Sequence, residues 1–427
     1  MRRLLFLIAA VAIFPFACTT TTTSTPASSA GAMTAPPPAP EPPPPPPPPP
    51  APKPMIGDHG FDVTGVDRSA NACDDFYRFA VGNWRQAHPL PAQFSRFGRF
   101  EEVAEHNRET LRQILEADSA NTTAPAGSDE RKIGDFYTAC MNEEAIEMQG
   151  LNPIKPELDR IDAIKTRKDL RSEIYALEQA GYNPLFDIDG EQDFKNSKMN
   201  IAVLGQGGLS LPDRDYYLRD DARFSTIRNQ YVDHVTKMLT LAGRDAKKAA
   251  SDAQRILAFE KRLAEGSMSR VDQRLPEKTY NITPVTQLAS TTPNFDWPGF
   301  LRTLHVNEKS VNVEEPTFFQ TVNKMLADVP VADWKAYLRW RVLRASAASL
   351  ATAIAEENFN FTGRILSGQK EQLPRWKRCI RQTDASIGDL LGQEYIRRNF
   401  TPEAKDKLNG LIDNLVEALR AAIPTLD

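Results

Sequence analysis

From about Gly60 onward, apolar residues recur at intervals of three and four, the spacing that gives a helix one buried face. The pattern predicts a short aromatic-rich helix over residues 74–84. A longer helix is predicted over 100–117, with Val103, Leu111, Ile114 and Leu115 turned inward. A third, over 168–179, is opened by Thr166 as its cap and buries Leu170, Ile174 and Leu177. Over 224–241 the inward set is Ile227, Tyr231, Val235 and Met238. Residues 251–264, 334–356, 387–397 and 402–422 carry the same period. Between 183 and 204 the period shortens, because Phe186, Ile188, Ile201 and Val203 alternate with other residues around a polar middle, which predicts a β-hairpin. There is no internal repeat and no heptad.

The first 57 residues follow other rules. Arg2 and Arg3 precede an apolar run over 4–13, the charged and hydrophobic regions of a secretory signal, too short to span a membrane. The run closes at Ala17-Cys18, which resembles a bacterial lipobox, with Cys18 as the residue to be lipidated. Pro15 and Phe16 stand where Leu and a small residue are usual, and ordinary cleavage nearby is the alternative. A Thr- and Ser-rich stretch follows, and residues 36–54 are almost all proline, a stiff extended rod. The rod suits a spacer, or else a ligand for a proline-reading domain. The expected organisation is a lipoprotein-type signal over 1–18, a tether over 19–57 and a folded body over 58–427. The protein is expected to be exported and held at a bacterial envelope by its lipid, facing the periplasm or the outside.

The chain has 427 residues, 41% of them hydrophobic, ample for a buried core. A net charge of −4 without any basic block argues against nucleic acid as a partner. Four cysteines are too few for a disulfide-built scaffold.

Catalytic patterns are sparse. A zinc-peptidase helix needs H-E-x-x-H, whose histidines face one metal ion while the Glu acts as base. His59, His88, His106, His234 and His305 are each followed by other residues than Glu, and no two are close in sequence. His106 and His234 read as surface or packing residues. Gly208-Leu209-Ser210-Leu211-Pro212 approaches the nucleophile-elbow pattern but ends in Pro. Asp187-Ile188-Asp189-Gly190 has its Gly too early for a calcium loop and reads as a hairpin turn. Gly205-Gln206-Gly207-Gly208 does not form a phosphate cradle.

Longer strings carry a resemblance. Ala72-Cys73-Asp74-Asp75-Phe76-Tyr77-Arg78-Phe79 with Gly82-Asn83-Trp84, then Ser95-Arg96-Phe97-Gly98 with Phe100-Glu101, then Asp135-Phe136-Tyr137-Thr138-Ala139-Cys140-Met141 stand in order. Gly207-Gly208-Leu209-Ser210-Leu211-Pro212-Asp213-Arg214-Asp215-Tyr216-Tyr217-Leu218 follows, then Lys278-Thr279-Tyr280-Asn281, Asn358-Phe359-Asn360-Phe361 and Arg375-Trp376-Lys377-Arg378-Cys379. Together they resemble the N-terminal portion of the neprilysin and endothelin-converting-enzyme family of zinc metallopeptidases, from about residue 60 to 427.

The resemblance implies a mainly α, two-lobed ectodomain around a central cavity. This stretch would supply the helical capping lobe and the first part of the catalytic lobe, with a small β-hairpin. In the family the H-E-x-x-H helix lies further along the chain. The implied function is therefore the N-terminal region of an exported metalloendopeptidase acting on oligopeptides. Zinc would belong to the complete enzyme and not to this chain, which would be inactive alone, and a catalytic C-terminal half would be its partner. A non-catalytic envelope lipoprotein that binds peptides or a partner protein is the alternative. By the same resemblance Arg96 contacts the carboxylate end of a peptide and Glu101 orients it; a surface ion pair is the plainer reading. Cys140 and Cys379 match cysteines that bridge, and Cys73 matches one whose partner lies further along the family's chain. Leu211 to Tyr217 is expected to be structural, as are Trp84, Trp340 and Trp376 in the core.

Overall fold

The structure, a computed structural model, describes residues 62–426. The expected signal segment with Cys18, the tether over 19–57 and His59 lie outside these residues. The described chain forms two compact units, residues 62–91 with 96–100, and residues 92–95 with 101–426.

In the smaller unit, Asp62 accepts from the Thr64 amide at 3.1 Å to open a single 3-10 turn. Helix α1 (Phe76–Ala87) starts at Asp75, whose carboxylate takes the Arg78 amide at 2.8 Å. Trp84 is buried, stacked between His88 at 4.5 Å and Phe97 at 6.2 Å, with the Arg99 guanidinium 4.9 Å from its ring.

Helix α2 (Arg99–Ala120) buries Ile114 and Leu115, while α3 (Asp129–Met141) buries Ile133 and Tyr137. Gly134 permits their close approach, since a Cβ there would sit 2.5 Å from the Asp118 carbonyl oxygen. Val103, expected inward, is 59% exposed, because the periodicity of α2 marks a face without naming what covers it. Helix α4 (Arg167–Gln179) begins with a full capping box between Thr166 and Asp169 and buries Leu170, Ile174 and Leu177 as expected.

The hairpin is β1 (Phe186–Asp193) and β2 (Asn196–Gln206). Asp187 to Gly190 lies inside β1, not at the turn; Phe194 and Lys195 turn the chain, with the Lys195 amide on Asp193 at 2.8 Å. Helices α5 (Ala222–Leu241) and α6 (Ala246–Gly266) pack together, and Ile227, Tyr231, Val235 and Met238 are all buried. The hairpin belongs to a four-stranded sheet of order β1-β2-β4-β3, with β3 at Ile282–Pro284 and β4 at Ser310–Val313. Asn312 fastens it, accepting from the Asn281 amide at 2.6 Å and donating to the Thr279 carbonyl at 3.0 Å. Phe186 sits among Phe295, Trp297, Phe300 and Phe319, centroids 5.4–5.6 Å away. A ring so buried contributes roughly 3–5 kcal/mol.

Helix α7 (Pro316–Asp328) completes this core with α8 (Val331–Ser346). The single helix expected over 334–356 is broken. After α8 a 3-10 turn leads to Leu350, which adopts extended backbone (ψ −176°) and is buried, before α9 (Thr352–Phe359) resumes. A π-helical stretch, Asn360–Leu366, follows. The helix expected over 387–397 is the second half of α10 (Arg375–Asn399), which bends at Ile387. Trp376, expected in the core, is half-buried, with the Arg112 guanidinium 4.7 Å from its ring. Helix α11 (Pro402–Ala422) has the expected bounds, and Leu408, Leu411, Ile412, Leu415, Val416 and Leu419 along it are exposed.

The fold is mainly α with one small sheet. Among the described residues no helix is long and apolar enough to cross a membrane.

Candidate functional site

Residues 207–218 leave β2 and run into the core. Gly207 passes against β1, where a Cβ would lie 2.9 Å from the Phe186 Cα, and Gly208 takes φ +78°. The Gly208 carbonyl accepts from the Tyr337 hydroxyl at 2.7 Å. Ser210 donates to Glu260 at 2.5 Å and accepts from the Trp340 indole at 2.9 Å. The Tyr217 hydroxyl accepts the amides of Ser210 and Leu211, at 3.1 and 2.8 Å, and donates to Glu260 at 2.9 Å. Tyr231 donates to the same carboxyl oxygen at 2.8 Å. Burial raises the Glu260 pKa, against the lowering effect of these three hydroxyls. The Ser210 hydroxyl is thus a structural bond in a buried network and does not serve as a nucleophile. Asp213 accepts the Asp215 amide at 2.9 Å and so caps the turn that follows, in keeping with the structural role expected of residues 211–217.

Beside this loop lies a cavity of about 370 Å³, lined by Asp187, Asp213, Arg214, Arg270, Arg341 and Arg344 among others. Glu178, whose charged form the Arg341 guanidinium favours, is buried, with neither carboxyl oxygen in a hydrogen bond. Burial pushes its pKa up to about 8; the Leu185 amide opposes the shift without reaching hydrogen-bond geometry, and the Asp187 charge adds to it. A carboxyl raised in the folded state stabilises fully below its unfolded pKa, and that stability is lost as pH rises toward the folded value. Between about pH 4.5 and 8 the protein should therefore lose stability on Glu178's account. Urea unfolding of Glu178→Gln should show a variant that gains on the parent by roughly 3 kcal/mol between pH 5 and pH 8. A constant difference across that range would refute the assignment.

A second cavity, about 340 Å³, lies beside the π-helical stretch and is lined in part by Asn358, Phe359 and Arg378.

The residues expected to touch a peptide are placed as follows. Arg96 is exposed in the segment before α2 and belongs to the smaller unit, whereas Glu101 is half-buried in the first turn of α2 and belongs to the larger. Cys140 of α3 and Cys379 of α10 form a disulfide, Cα–Cα 5.7 Å, as the resemblance implied. Cys73 is exposed.

The histidines are dispersed. His234 is buried, its ring stacked on Phe361 at 4.6 Å with Nδ1 3.0 Å from Glu357 Oε1, and burial lowers its pKa. His106 is exposed on α2, and His305 takes a left-handed backbone. Among the described residues no three His, Cys, Asp or Glu side chains converge as a metal would require. Sequence reasoning missed the two cavities and the Glu260 network. One signal for the network was legible, since Glu260 interrupts the apolar stripe of Ile256, Phe259 and Leu263.

Comparison with known proteins gives one result. Residues 72–427 match the family model of Peptidase family M13. Endothelin-converting enzyme 1 of Mus musculus is 27% identical over 373 residues, 84% of this chain and 48% of its own length. Endothelin-converting enzyme-like 1 of Rattus norvegicus is 28% identical over 383 residues, 85% of this chain and 48% of its own. The chain thus spans about half the length of the curated relatives it matches. Among solved structures, the zinc metalloprotease Zmp1 of Mycobacterium tuberculosis, crystallised with an inhibitor, superposes with TM-score 0.78 at 30% identity, over 86% of this chain and 56% of that one. PepO from Lactobacillus rhamnosis shares the fold, TM-score 0.71 at 18% identity, over 84% of this chain and 56% of that one.

Proposed function

The chain belongs to peptidase family M13, and from that premise we propose that it is the N-terminal, substrate-enclosing part of an exported zinc metallopeptidase acting on oligopeptides. The family match over residues 72–427, together with the similarity of this chain to a zinc metalloprotease of solved structure, carries this reading. The described residues do not fit the zinc. The sequence contains no H-E-x-x-H, and no ligand set converges among the described residues. The metal and its general base are assigned to sequence outside this stretch.

What the chain itself would do is bind and orient. The Arg96 guanidinium suits a peptide carboxylate, to which it can offer two parallel N–H groups. Residues 1–18 would serve as a lipoprotein signal, Cys18 as the lipid-bearing residue and 19–57 as the tether, with 58–427 as the folded body. The body would then stand off the envelope, facing the periplasm or the outside.

Two measurements test this. The full chain, incubated with an internally quenched peptide, should give no zinc-stimulated cleavage and retain no stoichiometric zinc after dialysis. Zinc-dependent turnover abolished by a chelator would refute the assignment of the metal elsewhere. In titrations, a short peptide with a free C-terminus should bind about tenfold tighter than its amide, and Arg96→Met should erase the difference. An undiminished preference in that variant would remove Arg96 from the site.

A further inference from the structure

We propose that the cavity beside residues 207–213 binds a compact oxyanion, a carboxylate or phosphate group, through Arg214, Arg270, Arg341 and Arg344. The four guanidinium groups line it against two carboxylates, Asp187 and Asp213. All four have N–H groups anchored on neutral backbone oxygens. Arg214 donates to the Ser267 carbonyl at 2.5 Å, Arg344 to Ser210 at 3.0 Å, and Arg341 to Asn183 at 2.9 Å and Leu209 at 3.4 Å. Arg270 donates to the Pro212 carbonyl at 2.8 Å and stands 3.4 Å from Asp213. A carbonyl satisfies a donor but does not cancel a charge. Among the described residues only Arg270 of the four makes an ion pair.

The surroundings deepen the imbalance. Of the carboxyls whose charge bears on Arg341, Glu178 is buried and its pKa is pushed up to about 8, so near neutral pH it offers that guanidinium little opposing charge. The Nε of Arg341 is buried and has no hydrogen-bond partner. The cavity is therefore a preorganised site with positive charge in excess and fixed forks, the arrangement that recognises planar or tetrahedral oxyanions. Its volume, about 370 Å³, admits more than an inorganic ion, so an acidic side chain or a small polycarboxylate also fits. The inference does not depend on the zinc assignment, because it concerns charge and not peptide hydrolysis.

The test uses the full chain and titration calorimetry at pH 7, with inorganic phosphate in one arm and citrate in the other, ionic strength matched with chloride. Saturable one-to-one heat in either arm is expected, and the stronger arm identifies the source. Two substitutions break the same Arg270–Asp213 pair with opposite effects on charge. Arg270 is 62% exposed, so Arg270→Gln is tolerated; it should weaken binding about fivefold, whereas Asp213→Asn should tighten it by a similar factor. A general loosening of the loop would move both variants the same way. Parallel shifts, or no saturable heat above the chloride control from a folded chain, would overturn the proposal.

Discussion

Replacing Glu260 with alanine should lower the unfolding free energy by roughly 4 kcal/mol, close to the limit of what single substitutions do. Glu260 is fully buried on α6 and accepts from Ser210 and Tyr217 of the 207–218 string and from Tyr231 of α5. Its removal leaves their hydroxyl hydrogens without an acceptor where no water reaches, at about 1–3 kcal/mol for each group left unsatisfied. Some of that is recovered by reorientation, and a small cavity adds to the loss. Glu260→Gln should cost roughly 1–2 kcal/mol, because an amide oxygen can still take both tyrosines. The raised pKa gives a second signature. A buried carboxyl of this kind stabilises below its unfolded pKa and loses that effect as pH rises through its folded value, so Glu260→Gln should compare better with the parent at pH 8 than at pH 5. Urea unfolding at the two pH values measures both effects. An alanine variant within 1 kcal/mol of the parent would show that the network is incidental.

That network also marks how far the sequence could be read. Local signals succeeded wherever one segment carried its own information. The inward set of α5 follows from helical spacing alone, and the start of α4 from the reach between Thr166 and Asp169. The hairpin was legible because both strands are adjacent in sequence. Strands β3 and β4 were not, since each is three or four residues long and pairs across a long interval, Val203 with Asn312 and Ile282 with Asn312. The break after α8 was equally hidden. Alanines at 347, 348 and 351 favour helix, and only the burial of Leu350 by distant elements turns the chain there.

The site divides in the same way. The 207–218 string was recognised as a block, yet its meaning lay in partners supplied by Tyr231, Glu260, Tyr337 and Trp340, which no spacing rule connects. The arginine-lined cavity was hidden for a like reason. Arg214, Arg270, Arg341 and Arg344 are scattered along the chain and read singly as surface charge. Arg96 lies within the stretch matched to Peptidase family M13, and its peptide contact is a matter for titration.

Removing the Cys140–Cys379 disulfide should have the largest effect of all. The bond closes a loop with a sequence separation of 239 residues. In the chain-entropy account such a crosslink stabilises by about 5 kcal/mol, because it forbids most of the separations an open chain would explore. Its location makes the effect regional. The bond joins α3 to α10 beside a small apolar cluster of Ile114, Leu115, Ile133, Tyr137, Ile380 and Leu391, separate from the large core that holds α5 to α8. So small a cluster has little reserve, while the large core keeps its own aromatic packing. Hydrogen exchange on the Cys140→Ser/Cys379→Ser double variant should therefore show α3 and the first half of α10 losing protection well before α5 and α6. Denaturant unfolding should fall by about 5 kcal/mol if it remains one transition, or split into two if the small cluster melts alone. Uniform loss across both regions would mean that the clusters unfold together, and unchanged protection in α3 would mean that the bond is redundant. Either result would overturn the regional reading. The expected one would make oxidising conditions, which keep the bond formed, a requirement for the α2–α3–α10 region to stay folded.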